Sequence, residues 1–281
     1  MGTPIMVVKI DNTRPAQPHR GLTAADIVYV EPVEWGLTRL AAVFSTEIPD
    51  VVGPVRSARV SDMEICAPYG NVAFVFSGAQ TRLWPKIRAA NWEQWSHDHD
   101  AYGFYRERGR VAPVNLMARP ELILDRLDDV AVSKDMGLVF DAHRLAGGEK
   151  AQRVTARWPN STVGFRWNKA KNGYDVWMDG RPARATEPPY VQRASTVIIQ
   201  YVKEVDSGYG DKFGGRTPRV ITVGEGKGLV LRDGRAHKIT WERSRKSKPT
   251  AYLDRDGNPI ALDPGQIWIV LMDRDRKVTI G

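Results

Sequence analysis

Short apolar runs separated by polar turns dominate the first half of the chain and predict strands. These runs cover residues 5–10, 27–34, 37–45 and 71–78, and they have the length and β-branched content of strands. The second and third flank Trp35-Gly36, which predicts a hairpin, and Pro32 indicates that its first strand is an edge strand or is bulged. Helical patterns over 59–70, 79–91 and 120–129 alternate with the strands, so residues 1–135 are predicted to form a mixed α/β domain.

From about residue 152 the pattern changes to short strands separated by glycine-rich turns and repeated Asp-Gly pairs. Such spacing is typical of an antiparallel sheet or barrel. We therefore predict an α+β protein, in which the N-terminal α/β domain is followed by a smaller antiparallel β-rich domain over residues 152–281. The segment 133–151 is predicted to be the linker between them.

Composition narrows the classes of function. The formal charge is +8, which favours anionic partners. No apolar run approaches the ~18 residues that span a bilayer, and the first residues lack a signal-peptide pattern. We therefore expect this chain to be soluble. Cys66 is the only cysteine, which excludes an internal disulfide and a CxxC site, and its apolar neighbours favour burial.

The segment GPVRSAR (53–59) is the most informative motif. It places Arg56 and Arg59 three residues apart after a Gly-Pro turn. Two planar guanidinium groups suit a phosphate or a carboxylate, so the motif predicts an anion-binding site. The alternative is that both arginines form internal ion pairs with Asp11, Glu31 or Glu34. Spacing alone does not choose between them.

Other residues extend this candidate site. Arg14 and Arg39 add cations, and Asn115 in RVAPVNL is predicted to turn inward as a hydrogen-bonding brace. Asp11, as a base or metal ligand, would support phosphoryl transfer, while Glu31 with Glu34 would suit glycoside hydrolysis if a bulge brought them together.

The segment 97–100 is a candidate metal site, but the sequence favours the interpretation that its residues are exposed in a turn. Residues 97–100 (HDHD) alternate imidazole and carboxylate. In an extended segment, however, this spacing provides at most two good ligands. We predict neither a metal nor a cofactor, and we expect no nucleic-acid partner.

Several motifs together resemble a known family. They are VKIDNTRPAQPHRGLTAADIVYVEPVEWGLTRLAAVF (8–44), GPVRSAR, YRERGRVAPVNL (105–116) and the tail segments within 220–269. In order and content they resemble the YerB-like family of bacterial lipoproteins. The resemblance implies an extracytoplasmic protein whose full-length form is held at the membrane only by a lipid anchor, which this chain lacks. Trp35 departs from the glycine expected in that pattern, and Val114 departs from a histidine.

The leading hypothesis is therefore a cell-envelope protein that binds an anionic envelope component or a small anionic ligand in an arginine-lined cleft. Arg14, Arg39, Arg56, Arg59 and Asn115 are the predicted ligand-binding residues. The first alternative is an enzyme acting on envelope polymers, with Asp11 and Glu31 as catalytic residues. The second is a protein-interaction module that offers an exposed sheet edge.

Overall fold

The computed structural model describes residues 2–211 and 213–281. Strands predominate and helices are short. The strands, in chain order, are β1 Met6–Asp11, β2 Ile27–Pro32, β3 Thr38–Phe44, β4 Val72–Phe76, β5 Trp92–Ser96, β6 Phe104–Arg106, β7 Leu116–Ala118, β8 Val139–Phe140, β9 Glu149–Lys150, β10 Arg153–Trp158, β11 Ser161–Asn168, β12 Gly173–Met178, β13 Arg181–Pro182, β14 Arg193–Ala194, β15 Thr196–Gly210, β16 Arg216–Ile221, β17 Gly224–Arg232, β18 Arg235–Arg243, β19 Ala251–Leu253, β20 Ala261–Leu262, β21 Ile267–Asp273 and β22 Thr279–Ile280.

The helices are shorter than their sequence patterns predict. They are α1 Asp62–Cys66, α2 Trp84–Arg88 and α3 Pro120–Leu124, accompanied by 3₁₀ turns that include Arg14–Ala16, Leu22–Ala24, Glu34–Gly36, Ala67–Tyr69 and Thr81–Leu83. Pro68 follows α1 within a 3₁₀ turn, and Pro85 lies in the first turn of α2. Proline has no amide hydrogen and cannot continue a helix from within, so both positions limit helix length.

One sheet contains strands from both halves of the chain. Among the described residues it has twelve strands, and its main path runs β19-β18-β17-β15-β21-β2-β3-β1-β4-β5. The halves join where β21 pairs in parallel with β2, from Ile27 opposite Ile267 to Val30 opposite Val270. β15 also pairs with β21 in parallel. The second half therefore extends the sheet of the first half, with mixed rather than purely antiparallel pairing.

The hairpin of β2 and β3 is confirmed, but its predicted edge position is wrong. β2 lies inside the sheet, between β3 and β21. Pro32 pairs with Thr38 on the β3 side and lies beyond Val30, the last residue of β2 that pairs with β21. The missing amide hydrogen of Pro32 therefore interrupts no ladder.

The large sheet is covered on both faces. Val28, Val30 and Trp268 pack on one face into a core shared with the second sheet, β13-β12-β11-β10-β22. Phe165 of β11 contacts Trp268 edge to face, with ring centroids 6.1 Å apart. On the other face, Ile27 packs in a second core that includes Ile65 of α1. This three-layer arrangement explains why β1, β3 and β4 are buried along their whole length.

Candidate functional site

The candidate site lies at the end of β1, where the GPVRSAR segment replaces β4 as its neighbour. β4 pairs only with Met6–Val8 of β1. Beyond that point the GPVRSAR segment takes over: Asp11 donates its backbone N–H to Pro54 O over 2.9 Å, and Arg56 donates to Lys9 O over 2.9 Å. The backbone of the motif is thus fixed along the end of β1.

Register places three charged residues side by side on one face of the sheet. Arg39 of β3 lies opposite Asp11 of β1 and also opposite Glu31 of β2. Their side chains share the face that carries Ile27 and α1. The strand pairing therefore creates a row of acid, base and acid that Arg56 and Arg59 meet from the following segment.

Arg56 forms an ion pair with Asp11, with 2.6 Å between Nε and Oδ2. The Nε–H group does not have hydrogen-bond geometry toward Oδ2, so the contact is an ion pair. Asp11 is 3% exposed, and Oδ1 accepts hydrogen bonds from Thr13 N over 2.7 Å and Thr13 Oγ1 over 2.5 Å. The structure therefore brings Arg56 and Asp11, two of the candidate site residues, into direct contact.

Arg59 pairs with Glu34, donating from Nε over 2.9 Å and from Nη2 over 2.7 Å to the same oxygen. Its Nη1 donates to Ala58 O over 2.9 Å. Burial works to raise the pKa of Glu34, but the guanidinium of Arg59 outweighs it, so the pKa lies below its usual value. Thr217 donates a further hydrogen bond to Glu34. The internal ion-pair alternative thus describes Arg59 well.

Arg39 is also held internally. It is buried and donates from Nη1 to Ser57 O over 2.9 Å. Burial, together with the nearby cations Arg59 and Arg56, lowers the pKa of Arg39 to about 9. Arg39 is therefore still charged at pH 7 and contributes to the positive potential of the site.

Beneath the arginines lies a buried cluster of Lys9, Glu31 and Asp62, all fully inaccessible. Lys9 Nζ lies 2.8 Å from Asp62 Oδ1 and forms a still closer contact with Glu31 Oε1. Burial and the charge of Asp62 raise the pKa of Glu31 to about 7. Burial works to lower the pKa of Lys9, but the two carboxylates outweigh it and raise that pKa. Lys9 is therefore the counter-charge of this cluster.

Sequence reasoning missed Lys9 and Asp62 as parts of the site. Asp62 also accepts the backbone N–H of Arg59 over 2.6 Å, so it connects the cluster to the arginine motif. The available signal was a lysine within the apolar strand MVVKID. A lysine is rarely buried without a partner, so that position implied a nearby acid.

Arg14 and Asn115 lie around the centre of the site. Arg14 is exposed in the 3₁₀ turn that follows Asp11. Asn115 is half-buried, accepts from Arg106 Nη1 over 2.8 Å and donates to Arg110 O over 3.3 Å. Arg110 in turn donates to Ala16 O over 2.9 Å. Asn115 thus braces the 106–115 loop, which reaches the site through the Arg14 turn.

The HDHD segment packs its imidazoles against aromatic rings. His99 stacks on Trp84 with ring centroids 3.9 Å apart, and His97 meets Phe104 edge to face at 5.5 Å. Within the described ranges, no group of three or more histidine, cysteine, aspartate or glutamate residues is arranged to hold a metal ion. Cys66 is buried as expected, and burial raises the pKa of its thiol well above the usual value.

Comparison with known proteins places this architecture in a family. A model described as "Protein of unknown function (DUF3048) N-terminal domain" matches residues 1–133, and its C-terminal counterpart matches residues 154–269. "Putative lipoprotein YerB" of Bacillus subtilis (strain 168) is 46% identical over 277 residues, which are 95% of this chain and 80% of that protein. The chain belongs to the DUF3048 family. The YerB-like resemblance of the sequence motifs is therefore confirmed.

The DUF3048 fold is also seen in a solved structure. The crystal structure of YerB protein from Bacillus subtilis matches with a TM-score of 0.82 over 99% of this chain and 94% of that chain. Identity in the structural match is 21%, well below the 46% of the sequence match. At this low identity, it is the TM-score of 0.82 that shows a shared fold. In the part of the chain that the structure describes, no helix is long and apolar enough to cross a bilayer.

Trp35, which departs from the DUF3048 motif expected from the sequence, has the backbone conformation that glycine prefers. Its φ is 63° and its ψ is 18°, in the left-handed region. Its indole Nε1 donates to Asp211 Oδ2 over 2.7 Å. This contact connects the hairpin beside Glu34 to the segment that follows β15. Val114, the other departure, is buried.

Proposed function

We propose that this DUF3048 chain is the extracytoplasmic part of a lipid-anchored cell-envelope protein and that it binds a phosphate- or carboxylate-bearing ligand at Arg56. The lipoprotein name of its Bacillus relative supports the location. The charges and contacts around Arg56 support the binding role.

The observation that carries the proposal is the unused edge of the Arg56 guanidinium. Nε faces Asp11, whereas Nη1 and Nη2 have no hydrogen-bond partner among the described residues. The side chain is 24% exposed. A guanidinium held on one side by a fixed carboxylate presents its remaining donors in a defined plane, which suits bidentate contact with an anion.

The exposed charges favour the same ligand class. Within the site the charges nearly balance, because four cationic side chains lie with four acidic ones: Lys9, Arg39, Arg56 and Arg59 with Asp11, Glu31, Glu34 and Asp62. Arg14 adds an exposed cation in the next turn. The charged groups that reach solvent are mainly the cations Arg56 and Arg14. Arg39 and Arg59 would then act through their electric field, because Arg39 is buried and Arg59 donates to Glu34 and to backbone oxygens.

The test is isothermal titration calorimetry with inorganic phosphate and with a sugar carboxylate. Charge-assisted hydrogen bonds contribute ~1.5–3 kcal/mol each. We therefore expect Arg56→Lys to weaken binding by roughly tenfold or more, because lysine cannot make the bidentate contact. Arg245→Lys, which changes an exposed arginine elsewhere, is the matched control. Equal affinity of the wild type and Arg56→Ala would show that the Asp11–Arg56 pair is purely structural.

The enzyme alternative receives no specific support from these contacts. Glu31 is fully buried against Lys9 and offers no oxygen to a substrate in this arrangement. Asp11 is 3% exposed and already accepts from Thr13. We accordingly propose a positioning role for both acids. Turnover of a labelled envelope precursor that is lost in Asp11→Asn would instead favour catalysis.

A further inference from the structure

A second candidate site lies on the other half of the large sheet and shares no residue with the Arg56 site. It is a groove of about 700 Å³ between β15, β17, β18 and the segment that follows β21. We call it the C-terminal groove. Its volume lies within the range of ligand-binding clefts, roughly 300–1,000 Å³.

The floor of the C-terminal groove is apolar. Tyr201, Leu229 and Val278 line it and are half-buried, because their inner surfaces pack against the core between the two sheets. Ile280 at the end of the groove is 38% exposed. An apolar floor of this kind gains free energy when a ligand covers it with hydrocarbon.

The rim of the groove is basic. The cations are Lys203, Lys227, Lys238, Arg274, Arg276 and Lys277, and the anions are Glu149 and Glu225. Lys238 pairs with Glu149 over 3.0 Å. In the described part of the chain, the side chains of Lys203, Lys227 and Lys277 have no hydrogen-bond or ion-pair partner, and all three residues are exposed. The rim therefore has an unbalanced positive charge directly above the apolar floor.

We propose that the C-terminal groove binds an anionic single-chain lipid, with the hydrocarbon chain on the Tyr201–Leu229–Val278 floor and the phosphate headgroup at Lys203 and Lys227. Charge complementarity selects the headgroup, and the apolar floor selects the chain. A free inorganic anion would leave the floor exposed to water. A neutral hydrocarbon would leave the lysines without a counter-charge.

The experiment titrates the whole chain with dodecyl phosphate, octyl phosphate, dodecylphosphocholine and inorganic phosphate, each below its micelle concentration. Each buried methylene contributes about fourfold in affinity. We expect dodecyl phosphate to bind more than tenfold tighter than octyl phosphate, and tighter than the zwitterionic dodecylphosphocholine. In an Arg56→Ala background the affinity for dodecyl phosphate is expected to be unchanged, which separates this groove from the Arg56 site.

Charge reversal locates the headgroup. Lys203→Glu combined with Lys227→Glu is expected to weaken binding of dodecyl phosphate at least tenfold, with the far-UV circular dichroism unchanged because both side chains are exposed. The control is Lys246→Glu with Lys248→Glu, an equal charge change in an exposed loop. Val278→Asp tests the floor and is expected to remove the dependence on chain length. Equal weakening by the control, or equal affinity for dodecyl and inorganic phosphate, would overturn the proposal.

Discussion

At the scale of single residues, Lys9 is the counter-charge of two buried carboxylates beneath the arginine motif. Its ammonium lies between Glu31 and Asp62 in a region without access to water. Charges in such a region are tolerated only when they are paired. Since Asp62 also accepts the backbone N–H of Arg59, the same pairing positions the arginine motif above it.

At this scale we expect Lys9→Met to destabilise the protein by about 3–5 kcal/mol, because it leaves two buried carboxylates without a cation. Urea denaturation at pH 7 measures the loss. Combining Lys9→Met with Glu31→Gln removes one of the unpaired charges and is expected to recover part of it. A loss below about 1 kcal/mol in the single variant would contradict a structural role for the cluster.

A second residue-scale prediction concerns Glu34. Its folded pKa is lowered below the usual 4.5 by Arg59, so its contribution to stability is fully present above about pH 4.5. That contribution is lost as pH falls through the folded pKa. We expect Glu34→Gln to reduce stability by about 1.5–3 kcal/mol at pH 7. We also expect Glu34→Gln to lose less stability than the wild type as the pH falls below about 4.5.

Thermal unfolding of both proteins across this pH range checks the sign. The exposed Glu225→Gln is the control and is expected to follow the wild-type profile. If the difference between wild type and Glu34→Gln stayed constant from neutral to acid pH, the Arg59 pair would not be linked to proton uptake on unfolding.

At the scale of elements, the GPVRSAR segment acts as a short added neighbour of β1, and the 106–115 loop supports it from outside. The segment bonds to Lys9 and Asp11 by backbone hydrogen bonds. The loop reaches the turn after Asp11 through Arg110, whose carbonyl oxygen is in turn bonded by Asn115. The loop therefore influences the site without contributing a side chain to its centre.

We expect Asn115→Leu to destabilise the fold by ~1–3 kcal/mol, at the lower end of that range because Asn115 is only half-buried. Phosphate binding is expected to weaken as the loop loses its bond to Arg106. Melting temperature and calorimetry are the two measurements. Arg108→Ala, an exposed change in the same loop, serves as control. If both quantities were unchanged in Asn115→Leu, Asn115 would have no part in bracing the site.

At the scale of the whole molecule, β21 joins the two halves of the chain into one sheet. It pairs with β15 on one side and with β2 on the other. The family models divide the sequence between residues 133 and 154, whereas the sheet continues across that division. Elements that share a sheet and a core lose their support together.

We therefore expect the full chain to unfold in a single transition. Differential scanning calorimetry provides the measurement, because equal calorimetric and van't Hoff enthalpies indicate one cooperative unit. Two resolved transitions would instead indicate that residues 1–135 and 152–281 unfold independently, as separate domains.

The sequence by itself determined the local structure, because strand and turn preferences depend on neighbouring residues. It identified β1 to β4, the hairpin around Trp35, the burial of Cys66 and the family. It also identified Arg56 and Asp11 as candidates, because a Gly-Pro turn and a strand end can be recognised from the sequence alone.

Only the tertiary structure decided which charged side chains contact one another. The Asp11–Arg39–Glu31 row follows from strand register, and the place of β21 beside β2 joins residues more than 200 positions apart. Register and long-range pairing are set by burial of the whole sheet, which no local pattern encodes.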